Sequence, residues 1–269
     1  MVQIILIICL ALTFVMHFLF GNVPLDIFAF PLNVILLTIW LTSVLWAWTR
    51  SRKSQFVKYM LSPGATISAI SLMLVFCFAI ALTGMRWLTC TWPFIAVMLH
   101  FLTVLTFVSL RGWRSPTPTG TRIGSIRWRF IFLHFGLIIA LSSAFWGAPD
   151  NESVKLRIFK NMPSAGIRLL DFQLDTYENG SASDYRAIME IDGKEISLRV
   201  NHPYSRSFAE NIYLSGYDVK AGSESEYCII QIVRDPWKYG IVTGIIMIIT
   251  GAFLLFIAGP RRKFKNDRI

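Results

Sequence analysis

Residues 130–148 read FIFLHFGLIIALSSAFWGA, with no Asp, Glu, Lys or Arg among them. A helix rising ~1.5 Å per residue crosses ~30 Å of hydrocarbon in roughly 20 residues, so this stretch has the length and polarity of a membrane span. Five more uncharged runs lie at 2–21, 27–48, 65–85, 92–110 and 239–259. In lipid every peptide group must find its partner within its own segment, which makes all six runs helices. The whole chain agrees. It is 54% hydrophobic and 16% charged, against about 25% charged in a soluble domain, so it has too few polar groups to wet a globular surface. The first run lacks a basic start and a small-residue cleavage site, and it reads as an uncleaved anchor.

Cations set the orientation. One cluster, Arg50, Arg52, Lys53 and Lys58, follows the second run. Another, Arg111, Arg114, Arg122, Arg127 and Arg129, follows the fourth, and a third lies in the tail from Arg261 to Arg268. Alternating spans place these clusters and both termini on the cytoplasmic side, with residues 149–235 outside it. The net charge of +10 sits beside apolar helices, which assigns it to anionic lipid and not to nucleic acid. Fourteen of the sixteen acidic residues fall within 149–235, where ten Lys and Arg leave a net negative charge.

The outer segment reads as antiparallel β. Ile167, Leu169 and Asp171 alternate with Leu170, Phe172 and Leu174 up to Tyr177, where Asn179-Gly180 breaks the run. A second pair of runs, Ala187 to Ile191 and Ile196 to Val200, flanks Asp192-Gly193, and a last run extends from Tyr227 to Val233. Asn-Gly and Asp-Gly tolerate φ > 0 and favour tight hairpins. The predicted fold is an α-helical integral membrane protein of six transmembrane helices, with a mainly antiparallel β domain, a small sandwich or open barrel, between helices five and six. It divides into residues 1–60 (two helices and a cytoplasmic loop), 61–148 (helices three to five), 149–235 (the extracytoplasmic domain) and 236–269 (the sixth helix and basic tail).

Several chemistries are absent from the sequence. It has no C-x-x-C pair, P-loop, Rossmann glycine run or H-E-x-x-H, which removes dithiol, nucleotide and zincin chemistry. No carboxylate lies in a span, although proton-coupled carriers usually keep one. A small-solute transporter would show inverted repeats or broken helices; Pro31 and Pro93 interrupt two runs whose sequences do not resemble each other. Cys90 and Cys228 fall on the oxidising side, and their spacing leaves open whether they pair.

Three of the four histidines, His17, His100 and His134, lie in spans. Such an imidazole either hydrogen-bonds a neighbouring helix or ligands haem iron. Counting from the basic ends, His134 is roughly 7 Å deep, His100 roughly 16 Å and His17 near 22 Å. Two axial ligands must meet one iron at one depth, so a partner for His134 is expected from another chain. Around His134, the small residues Gly136, Ala140, Ser143 and Gly147 form one stripe, with His134, Ile138, Leu141 and Phe145 on the opposite side. The last span carries Gly240, Gly244 and Gly251. Small residues let helices approach closely, so spans five and six are expected to pack stripe to stripe.

From Gly124 through Gly259 the chain resembles the ResB/CcsB family of system II cytochrome c biogenesis. The resemblance rests on FLHFGLIIALSSAFWGA (132–148), GIRLLDFQLDTYENG (166–180), IDGKEISLRVNHP (191–203), NIYLSGYD (211–218) and RDPWKYGIVTGIIMIITGAFLLF (234–256) in order. It implies a multi-pass protein of the bacterial cytoplasmic membrane that works with a CcsA-type partner. The pair would move non-covalently held haem b across the bilayer and present it for attachment to apocytochrome c. His134 matches the family's membrane histidine and would be an axial ligand, with His100 a further candidate; Arg129, Arg127 and Arg122 would meet the propionates. No catalytic residue is assigned, and the chain would be at most a subunit of a haem lyase complex. It lacks a WWD motif, and its first two spans are additional to the usual four. His202, in Asn-His-Pro, is expected to be a turn residue. The alternative is a non-haem membrane scaffold or sensor with an extracytoplasmic ligand-binding domain.

Overall fold

The computed structural model describes residues 2–114, 128–160, 162–178 and 182–257. They form two compact units, one of residues 1–149 with 238–269 and one of residues 150–237.

The first unit is helical: α1 (Val2–Phe20), α2 (Leu32–Arg50), α3 (Gln55–Met60), α4 (Pro63–Thr83), α5 (Trp92–Arg114), α6 (Trp128–Gly147) and α7 (Lys238–Ile257). All except α3 are long and apolar enough to cross a membrane. Local chemistry fixes their ends. The Ser62 hydroxyl accepts from Ala65 N–H with Pro63 at the first helical position, and Gly84 ends α4 at φ +67°. That is the capping asymmetry expected of Ser and Pro at a start and Gly at a stop.

The two prolines do not interrupt helices as the sequence suggested. Pro31 caps the start of α2 and Pro93 is the second residue of α5, positions where the missing N–H has no helical partner to lose. As a consequence, α2 begins at Leu32, and Leu25–Phe28 is a separate 3-10 turn. The short helix α3 was not anticipated. It lies in the first basic loop, capped by Ser54, and buries Val57 and Met60.

Helix α5 is the axis of this unit. Its Val104 and Phe107 join Val44, Trp48, Val57, Met60, Ala65 and Ala69 in one cluster, with Phe94, Met98 and Leu102 in a second against Leu141 and Phe145 of α6. Two polar contacts fix neighbouring helices: Trp40 Nε1 donates to Thr103 Oγ1 at 3.1 Å, and Asn33 Nδ2 to the Trp146 carbonyl at 2.9 Å.

The second unit is a small β-sandwich. One antiparallel sheet has the order β1-β7-β6-β5 and the other β2-β3-β4. The strands are β1 (Glu152–Phe159), β2 (Ile167–Thr176), β3 (Ala182–Ile191), β4 (Lys194–Arg199), β5 (Tyr204–Ser205), β6 (Glu210–Tyr217) and β7 (Tyr227–Arg234). Asp192 and Gly193, at φ +50° and +77°, turn β3 into β4 directly between the paired residues Ile191 and Lys194. The Asn179-Gly180 turn lies outside the described residues.

The simple alternation read along β2 is corrected. A register shift between Leu169 and Asp171 moves the buried face from Ile167 and Leu169 to Phe172, leaving Leu170 exposed, as an inserted bulge residue requires. Asn201, at φ +61°, and the His202 N–H bonded to the Arg199 carbonyl at 3.1 Å make Asn-His-Pro a turn. Cys90 and Cys228 are free thiols. Cys228 is wholly buried in the sandwich core, and burial pushes its thiol up to about 12. One clasp joins the two sheets: Arg206 donates through Nε and Nη2 to Asp192 at 2.7 and 2.6 Å, and through Nη1 to Glu210 at 3.3 Å.

Candidate functional site

The geometry around His134 begins with the packing of α6 on α7. Gly136, Ala140, Ser143 and Gly147 are all buried on α6, as are Gly244 and Gly251 on α7. A Cβ on Gly244 would lie 2.5 Å from Ala140 N and 2.6 Å from the Gly136 carbonyl, and one on Gly251 would lie 2.8 Å from Leu133 Cγ. The expected stripe-to-stripe contact is present, with backbone against backbone. The opposite side of α6 meets α5 instead: Leu141 and Phe145 enter its apolar cluster, and Phe135 sets its ring edge-on to Trp113.

His134 projects from this scaffold. Its Nδ1 lies 3.0 Å from the Phe130 carbonyl, one turn back on the same helix, and the two rings stack with centroids 3.8 Å apart. A carbonyl can only accept, so Nδ1 carries the hydrogen. The neutral ring therefore keeps its lone pair on Nε2, which is the arrangement that a metal-bound histidine adopts when its other nitrogen is held by a backbone carbonyl. The Phe130 ring lies so close to Gly112 of α5 that a Cβ there would overlap it.

His100 lies on α5, and its buried Nδ1 has no hydrogen-bond partner among the described residues. The contact between Gly112 and Phe130 sets a common level for α5 and α6. From it, His134 is four residues deep and His100 twelve, which separates them by roughly 12 Å along the bundle. His17, at the end of α1, places Nδ1 3.0 Å from the Gly21 carbonyl and stacks on Trp87, so it closes its own helix end. Arg129 is the second residue of α6 and half-buried. Arg122 and Arg127 lie outside the described residues. No group of three or more His, Cys, Asp or Glu side chains that could hold a metal ion occurs among the described residues.

No protein-family model matches the chain, and no curated protein matches it. Among solved structures it is similar to one titled cytochrome c heme lyase CcmF, at 9% sequence identity and a TM-score of 0.39. The likeness covers 72% of this chain and 34% of that one, so this chain spans about a third of that protein's length.

Proposed function

We propose that this chain is a ResB/CcsB-like subunit of a cytochrome c maturation machinery in the bacterial cytoplasmic membrane. It holds haem in transit through His134. Six helices cross the bilayer with both termini cytoplasmic, and the β-sandwich lies outside. The observation that carries the reading is the fixed tautomer of His134. With Nδ1–H bound to the Phe130 carbonyl, Nε2 is left as the ligating atom.

Haem is the cargo, and it is bound as non-covalent haem b. A single imidazole leaves one axial position of the iron open, and His100 lies at a different depth. The second ligand therefore comes from a CcsA-type partner, and the pair delivers haem to apocytochrome c. Arg129, with Arg127 and Arg122 before it, supplies the charge for the propionates, since guanidinium binds carboxylate through paired N–H groups.

The test is the visible spectrum of the full chain purified with its partner. The wild type is expected to carry haem with a bis-histidine spectrum, and His134→Ala to lose both the pigment and that signature. An unchanged haem content and spectrum in His134→Ala would overturn the ligand role.

A further inference from the structure

Where the start of α4, the end of α5 and the start of α6 meet, the helical unit has a cavity of about 440 Å³. Leu61, Ile67, Val108 and Phe130 give it apolar walls, and its polar groups are the Thr66 hydroxyl and the Arg111 guanidinium. Arg111 donates one N–H to the Leu61 carbonyl at 3.4 Å, leaving most of its five donors for another acceptor. Among the described residues no carboxylate lines the cavity. In residues 1–149 the acidic side chain is Asp26 alone, which precedes the start of α2. Arg50 ends α2 and Arg52, Lys53 and Lys58 follow it, where α3 packs Val57 and Met60 against Ala65 and Phe107. The cavity thus lies at the basic end of the bundle.

We infer that this cavity binds one anionic phospholipid. Its phosphate sits on Arg111, and the upper part of one acyl chain lies along Ile67, Val108 and Phe130. A free anion would satisfy the guanidinium but leave the apolar walls wet. A zwitterionic lipid would fill the walls but bring its own cation to a cavity whose lining already holds Arg111. Basic pockets between membrane helices recognise lipid headgroups in this way. The inference requires the helices to lie in a bilayer and does not depend on haem.

Native mass spectrometry of the full chain in non-ionic detergent tests it, with phosphatidylglycerol, phosphatidylcholine or inorganic phosphate added. We expect one phosphatidylglycerol retained per chain, at least about fivefold over phosphatidylcholine. Arg111→Gln should erase that preference, and Val108→Trp, which fills the cavity, should remove the bound lipid. Equal retention of the two lipids, or retention unchanged in both variants, would overturn the proposal. So would displacement of the lipid by millimolar inorganic phosphate, which marks a bare anion site. Loss of haem but not of lipid in Val108→Trp would assign the cavity to the cargo and overturn it as well.

Discussion

The bond from His134 Nδ1 reaches a backbone atom, so it survives changes to the Phe130 side chain but not to residue 134. His134→Gly removes the ring and leaves the Phe130 carbonyl in place. Free imidazole added to that variant can donate one N–H to the carbonyl and offer its other nitrogen to iron. We expect His134→Gly to lose its haem absorbance and millimolar imidazole to restore it. 1-Methylimidazole, which has no N–H, should restore much less. Equal rescue by the two would show that the carbonyl does not orient the ligand.

Acidic residues of the sandwich give a second prediction at this scale. The Arg206 hydrogen bond holds the Asp192 carboxyl below the usual range, and Arg199 does the same for Asp184. A carboxyl whose folded value lies under its unfolded value of about 3.9 stabilises the fold above that pH. The contribution drains away as pH falls through the folded value. Thermal melts of the β unit should therefore weaken below about pH 4. Asp192→Asn should lower the midpoint near neutrality and flatten the acid limb; an acid limb as steep as that of the wild type would mean the clasp is not stabilising.

At the scale of elements, the helix pair α6–α7 depends on residues that have no side chain to spare. The atoms that would meet a Cβ on Gly244 include the Ala140 amide nitrogen and the Gly136 carbonyl, which cannot rotate away. Gly244→Leu should therefore push the helices apart and cost about 1–3 kcal/mol, the usual penalty for overfilling a close contact. Melting of the detergent-solubilised chain would measure it, with Ile245→Leu, on the exposed side of α7, as the neutral control. This contact was legible in the sequence because small residues recur at helical spacing in both segments. The Asp192-Gly193 hairpin was legible because only φ > 0 closes a two-residue turn. Other elements left weaker traces. In β1 a single residue, Ile158, is fully buried, so no alternation shows, and β6 breaks its own period at the register shift between Leu214 and Gly216. Helix α3 buries only Val57 and Met60, too few for a periodic signal. Spacing could nominate His134, but the choice of Phe130 as its acceptor depends on a side-chain rotamer that spacing does not encode.

Across the whole molecule, charge is sorted by unit. Residues 149–235 hold fourteen of the sixteen acids, and within the sandwich they form ion pairs such as Arg168–Glu190, Arg199–Asp184 and Arg206–Asp192. Its interior is apolar from both sheets, with Ile158, Leu169, Met189 and Ile230 fully buried. A unit with its own core and a solvated surface has what an independently folding domain needs. Its ends also meet: Glu152 of β1 pairs with Arg234 of β7, and Trp237 Nε1 donates to Asp150 at 2.7 Å. Chain entry and exit are therefore neighbours, as in an inserted domain. Residues 150–237 expressed alone should give a soluble monomer with a β-type circular dichroism spectrum and one cooperative melt. Within that fragment Ile230→Ala should cost ~2–5 kcal/mol, the range for emptying a packed core position. A fragment that stays unfolded, or whose melt ignores Ile230→Ala, would mean that the helices supply part of the stability of the sandwich.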